Sequence, residues 1–314
     1  MERIVRIAVI ALILGPWLIA CGVEEEGEGI YVPPPTNNNK PQKPPPSTSK
    51  SLPSALQSVV SHIDLPTSGK DHGLDLDGDG VVDNQVGRLI GQLRSLLNLE
   101  LQPAVDEELK AGKGLVLYDL HANSLVDDGD VELRVYIGED KDQDPSDNFS
   151  GTERFDVNRD VVAAAVLPAA IAASRLSSTT PERAFASLPF RTTTAVLPLV
   201  ATRIQARVSA GGMQEGVLAG AIPMAEAAKR LTQVLTAELD QLYKRPDVSK
   251  NTYQALRVLL DQDGDGTITE AEFTASNAFG FLLHTADIDS DGDGVRDAIS
   301  FGIAFRSVPC AFTP

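Results

Sequence analysis

Between residues 114 and 222 apolar and polar positions alternate. Val131, Leu133, Val135 and Ile137 interleave with Glu132, Arg134 and Tyr136, the period of a strand with one buried face. LVLYDLHANSL before this run, and AVLPLVATRIQARVS and EGVLAGAI after it, read as further strands. The last two are joined by AGGMQ, a hairpin-length connection with Gly211 and Gly212. The Ala-rich VVAAAVLPAAIAAS suits helix or strand, although Pro168 breaks any long helix. The 114–222 region therefore predicts an antiparallel, sandwich-like sheet. On either side the period changes to that of a helix. Val86, Leu89, Ile90, Leu93, Leu96 and Leu97 form one apolar stripe that should end before Pro103, with a second short helix through AVDEELKAGK. After Pro223, which suits a first helical turn, Met224, Ala227, Ala228, Leu231, Val234, Leu235, Leu239 and Leu242 make another, supported by the Glu226–Arg230 pair and ended by Pro246. A further helix covers 251–260. Ile299, Phe301, Ile303 and Phe305 alternate again, as a closing strand. The expected class is α+β: a sandwich-like antiparallel region flanked by helices.

Those helices border acidic loops. In DQDGDGTITEAEF (261–273) carboxylates occupy alternate positions around a central glycine. Calcium takes 6–8 hard oxygen ligands in a flexible shell, and such spacing supplies them from one short turn. Asp261, Asp263 and Asp265 stand at positions 1, 3 and 5. Gly266 is at 6, where the chain needs a conformation costly for other residues. Thr267 offers its carbonyl at 7, and Ile268 sits at 8. Thr269 at 9 would act through water or its hydroxyl, Glu272 at 12 can bind bidentately, and Phe273 would anchor the exiting helix. The stretch resembles an EF-hand loop in full, including its flanking helices. The bland alternative, a solvated acidic turn, accounts for Asp and Gly but not for the Ile–Glu–Phe placement.

Two looser copies lie far away. Asp75, Asp77, Asp79, Gly80, Val81 and Asp83, and Asp289, Asp291, Asp293, Gly294, Val295 and Asp297, match positions 1, 3, 5, 6, 7 and 9. Position 12 is Val86 in one and Ser300 in the other, so the bidentate carboxylate is missing. Both resemble the EF-like loops of dockerins and thrombospondin type 3 repeats, in which the last ligand comes from an acid further on or from a neighbouring repeat. The alternative is a pair of Asp-Gly turns without an ion. Pairing of EF-hands through position 8 would set Val82 against Ile268. A fourth stretch, GEDKDQDPSDN, spaces Asp140, Asp142 and Asp144 by two but lacks the central glycine, and reads as a solvated hairpin tip.

The N-terminus adds a location. Arg3 and Arg6 precede the apolar IAVIALILGPWLIA, which ends at Cys21; this has the organisation of a secretory signal and is short for a membrane span. LIAC resembles the lipobox of bacterial lipoproteins, which implies a lipid on Cys21 and a membrane partner, with Gly22 pointing to the outer membrane. A plain signal peptide with a coincidental cysteine is the alternative. The expected division is a signal at 1–20, a Pro/Asn-rich tether at 21–53, a helical segment with the first loop at 54–113, the sheet at 114–222, helices with the second loop at 223–286, and the third loop with its strand at 287–314. If Cys21 carries lipid, Cys310 has no partner for a disulfide.

Asp and Glu number 44 against 27 Lys and Arg, a net charge of −17, which argues against nucleic acid. No hydrolase elbow or phosphate-cradling loop occurs, and His62, His72, His121 and His284 are scattered, so no catalytic residue is assigned. The expectation is a non-enzymatic, calcium-binding, lipid-anchored envelope protein whose ions staple the fold. The alternatives are a module binding a surface glycan or protein through its sheet and, less favoured, an extracytoplasmic hydrolase. An aromatic content of 5% weighs against a glycan platform, and scarce methionine against a calcium sensor.

Overall fold

In the computed structural model, which describes residues 52–160, 164–276 and 285–314, eight strands hydrogen-bond in a ring. They are β1 (Ser54–Asp64), β2 (Val116–His121), β3 (Asp128–Glu139), β5 (Ala165–Ala172), β6 (Arg175–Ser178), β8 (Thr194–Ser209), β9 (Gly212–Pro223) and β10 (Ala298–Pro309). Each pairs antiparallel with the next: β1 with β2, β2 with β3, β3 with β5, β5 with β6, β6 with β8, β8 with β9, β9 with β10, and β10 back to β1. Three further strands hang on this ring. β4 (Arg154–Val157) pairs with β3, β11 (Ala311–Phe312) lies parallel to β4, and β7 (Glu182–Pro189) pairs with the first half of β8.

The expected helix-flanked α+β sandwich with EF-hands is thus corrected to a mostly β structure built on a closed eight-stranded antiparallel barrel. The sheet does not stop at 114–222. β1, from a stretch expected to be helical, and β10 insert side by side between β2 and β9, and the β3–β5 pairing closes the other side. Closure satisfies backbone groups that an open sheet would leave at its edges.

The alternation explains how the ring fills. Leu133, Val135, Leu167, Leu176, Ile204, Ile299, Phe301 and Phe305 are all buried. The Phe305 ring packs 5.3 Å from that of Tyr118 and lies against Gly216, its register partner, where a Cβ would collide with the ring. β1 departs from strict alternation: Val59 and Val60 are both buried and the register slips between Val60 and His62. A buried Ser58 sits in the same strand, its hydroxyl accepting from Ser307 Oγ at 3.0 Å.

Helices cover the outside. α1 (Gln85–Leu97) lies against β10, and α2 (Gln102–Lys110), with Pro103 in its first turn, lies against β1 and β7. Asn84 caps α1 by accepting from Gly87 N–H at 2.9 Å, and Asn98 ends it in the left-handed region. From Pro223 a rod runs through α3 (Met224–Glu226), a wide turn at Ala227–Leu231 and α4 (Thr232–Lys244). It buries Ala227, Leu231, Val234, Leu235 and Leu239, as its stripe predicts. α5 (Lys250–Leu259) and α6 (Glu270–Ala275) pack on α4. Among the described residues no helix is long and apolar enough to cross a membrane. The signal-like segment, Cys21, the tether up to residue 51 and His284 lie outside the described residues.

Candidate metal centre

The 261–272 loop joins α5 to α6. Ser249 caps α5, its hydroxyl accepting from Thr252 N–H at 3.1 Å, and the helix delivers the chain through buried Leu256 to buried Leu260. Gly264 and Gly266 take positive φ, 75° and 84°, where a side chain would be strained. α6 begins with a capping box: Thr269 Oγ1 accepts from Glu272 N–H while Glu272 Oε2 accepts from Thr269 N–H. Phe273 and Ile268 are buried. Within the loop, Asp265 N–H donates to Asp263 Oδ1 at 3.0 Å, and Thr267 N–H to Asp265 Oδ1 at 2.7 Å. Carboxylate oxygens of Asp261, Asp263 and Asp265 all lie within 4.8 Å of one another.

Asp261 is the informative member. It is 3% exposed. Its Oδ2 accepts from the Tyr243 hydroxyl at 2.7 Å and from Gly266 N–H at 3.2 Å, whereas its buried Oδ1 has no hydrogen-bond partner. The Tyr243 hydroxyl, helped by loop N–H groups, holds the Asp261 carboxyl below its ordinary value against the opposing effect of burial. A buried carboxylate oxygen left unbonded costs free energy, and neighbouring carboxylates repel it. A cation relieves both. For Glu272, burial pushes the carboxyl up, but hydrogen bonds from Thr269 and Gln262 prevail and it lies low. These donors fit a hard cation: all are oxygens, on a turn that can adjust its radius. Thr269, expected at position 9, has its hydroxyl engaged with Glu272 at 2.9 Å.

The first and third loops share this scaffold. Asp75 accepts from Gly78 and Gly80 N–H, Asp77 from Asp79 and Asp79 from Val81; Asp289, Asp291 and Asp293 do the same with Gly292, Gly294, Asp293 and Val295. They differ from the second loop in how they close. Leu74 bridges to Asp83, and Ile288 to Ala298, as single antiparallel pairs, which clasp the two ends of each loop before the first runs into α1 and the third into β10. Asp83 and Asp297 then take the place that Glu272 holds in the second loop. Each accepts from the position-2 N–H: Leu76 to Asp83 Oδ2 at 2.9 Å, Ser290 to Asp297 Oδ1 at 2.9 Å, Gln262 to Glu272 Oε1 at 2.9 Å. Asp75, Asp77 and Asp83 bring oxygens within 4.8 Å of one another, as do Asp289, Asp291 and Asp293. Burial, then the charges of Asp77, Asp287 and Asp79, push the Asp83 carboxyl up despite the Leu76 N–H.

The position-12 residues have other work. Val86 is buried on α1, and Ser300 is fully buried on β10. Ser300 Oγ accepts from Gln85 N–H at 2.7 Å and donates to Asp287, so it links the first loop to the third. The two loops flank a cleft of ≈ 270 Å³ lined by Asp77, Asp79, Val82, Asp83, Asp287 and Arg296. The expected Val82–Ile268 pairing is not made. Val82 is 41% exposed at this cleft, and Ile268 N–H donates instead to Asp240 Oδ1 on α4, at 3.0 Å.

The histidines stand apart. His62 Nε2 is 2.8 Å from Asp64 Oδ1 and His121 Nε2 is 2.9 Å from Asp119 Oδ2. Ser54 Oγ donates to Asp119 Oδ1 at 2.5 Å, so the serine proton points at the carboxylate rather than an imidazole, which is not the order of an activated nucleophile. No family model matches this chain, and neither does any curated protein or solved structure.

Proposed function

We propose that the protein is a calcium-binding, lipid-anchored protein of the cell envelope, non-enzymatic, in which calcium staples loops and helices onto the barrel. The observation that carries this reading is the buried, unbonded Asp261 Oδ1 among three converging carboxylates. Asp261, Asp263, Asp265 and Glu272 would hold one ion with the Thr267 carbonyl. Asp75, Asp77, Asp79 and Asp83 would hold a second with the Val81 carbonyl, and Asp289, Asp291, Asp293 and Asp297 a third with the Val295 carbonyl. The anchor rests on LIAC and Cys21.

A staple suits this packing better than a sensor. Ile268, Phe273, Leu256 and Leu260 are already sunk in the core, so the second loop has no covered apolar groove to release. The glycan-platform reading finds little support: among the described residues Tyr253 is the one exposed aromatic ring, and it stacks on Tyr243 at 4.8 Å. The test is calorimetric titration of the full chain with calcium in excess magnesium. Binding that survives magnesium and weakens in Glu272→Gln supports the reading; the absence of calcium binding refutes it.

A further inference from the structure

We propose a binding site for an organic ammonium, a primary amine on an aliphatic stem, in the cleft between α2, α4 and the turn from β7 to β8, with Glu238 as the carboxylate that pairs with it. The site uses none of the acidic-loop residues and does not rest on their function.

The cleft has a volume of ≈ 510 Å³. Leu99, Leu101, Pro103, Ala104 and Leu242 give it apolar walls. Charges of both signs also line it, and most of them are already matched. Glu100 Oε1 lies 2.9 Å from Arg94 Nε, and Glu107 Oε2 lies 3.4 Å from Arg191 Nη2. Arg245 holds Asp247 through two contacts, at 3.0 and 2.6 Å. Among the described residues Glu238 is the lining charge that forms no ion pair.

Glu238 is also 5% exposed. Its Oε1 accepts from the Thr192 N–H and from the Thr192 hydroxyl, each at 3.0 Å. Its Oε2 makes no hydrogen bond among the described residues and is not sealed in, so it opens into the cleft that Glu238 lines. A charge drawn out of water without a counter-ion is costly. The other buried acids are accounted for: Asp119 is held by Ser54 and His121, and Asp261 belongs to the second acidic loop. A purely structural carboxylate, fixing the turn at Thr192, explains Oε1 alone. A glutamine would accept the same two bonds without the charge. The missing counter-ion is organic rather than a metal, because no other acid joins Glu238 in a group that could share an ion among the described residues, and a hard metal ion needs several oxygens. An ammonium needs one carboxylate for its head and apolar surface for its stem, and Leu242 stands one helical turn beyond Glu238, on the same face of α4.

The test is an NMR titration of the full chain with labelled leucine methyls, in constant calcium at neutral pH, where an aliphatic amine is protonated. The probes are diaminopentane, Nα-acetyl-lysine amide and, as the uncharged control, pentanol. Both amines should shift the Leu99, Leu101 and Leu242 methyl resonances saturably, and pentanol should bind at least tenfold more weakly, a comparison that needs no variant to fold. Glu238→Gln, which keeps an acceptor for Thr192, should weaken both amines at least tenfold and leave pentanol unchanged. The tighter amine names the source, a free polyamine or the lysine side chain of a partner protein. Pentanol binding as tightly as the amines, equal amine affinity in Glu238→Gln, or no methyl shift with either amine overturns the site. Displacement of the amines by excess calcium at these methyls would put a metal in their place and overturns it as well.

Discussion

Withdrawal of calcium should lower the stability of the protein by an amount that Asp261→Asn dissects. A site that binds only the native state contributes about 2.7 kcal/mol when free calcium is about 100 times the dissociation constant. In a domain of roughly this size about 1 kcal/mol moves the unfolding midpoint by about 2–4 °C, so one filled site raises it by about 5–11 °C. The 261–272 loop isolates a single share, because only there is position 1 a buried carboxylate with an unbonded oxygen. Asp261→Asn keeps an acceptor for the Tyr243 hydroxyl and removes one of three mutually repelling charges. In chelator, the variant should therefore melt no lower than the native chain; in millimolar calcium, it should melt about 5 °C or more below it. Differential scanning calorimetry of both proteins in both buffers reads this crossing. Equal midpoints for the native protein with calcium and with chelator would refute the staple. So would a variant that loses as much stability in chelator as in calcium, because Asp261 would then be a structural acceptor only.

Other expectations concern single contacts. Asp297→Asn should weaken calcium at the third loop at least tenfold while the second loop binds unchanged; unaltered titration isotherms would show that position 9 does not replace position 12. Gly302→Ala should cost about 1–3 kcal/mol in a denaturant titration, since a Cβ there collides with the His72 carbonyl where the first loop lies on β10; an unchanged midpoint would mean that this contact gives way freely. Burial pushes the Cys310 thiol up to about 12, so its thiolate is scarce at pH 8. Its share of stability is present below about pH 8.5, the ordinary thiol value, and lost as pH rises towards 12. Iodoacetamide should modify the Cys310 peptide far more slowly in the native chain than in denaturant at pH 8; equal rates by mass spectrometry would contradict this.

Much of the secondary structure was legible because it rests on local period. The strands around Val131–Ile137, Thr194–Ser209 and Ile299–Phe305, and the helical stripes after Asn84 and Pro223, stand where alternation and 3.6-residue spacing put them. Closure was not legible. β1 hides a buried Ser58 and a register slip between Val60 and His62, which blur its alternation, and β6, β4 and β11 are four, four and two residues long, too short to carry a period. The β3–β5 and β1–β10 pairings are long-range registers with no local signature. At the three acidic loops the position-1, 3 and 5 acids were readable from spacing alone. The role of Asp83 and Asp297 was not, since it depends on the bridges that clasp the two ends of each loop. The one available signal was that an alternating strand pattern, not a helical one, follows Asp297.

The seam between β1 and β10 has a consequence for biogenesis. Ser58 faces Pro309 and Asp64 faces Ala304, so the strand made first waits for a mate translated some 240 residues later. Until residues 298–309 emerge, β1 and β9 remain open edges able to capture any extended segment within reach. Closure of the barrel therefore waits on residues 298–309, and the nascent chain is most open to mispairing just before they emerge.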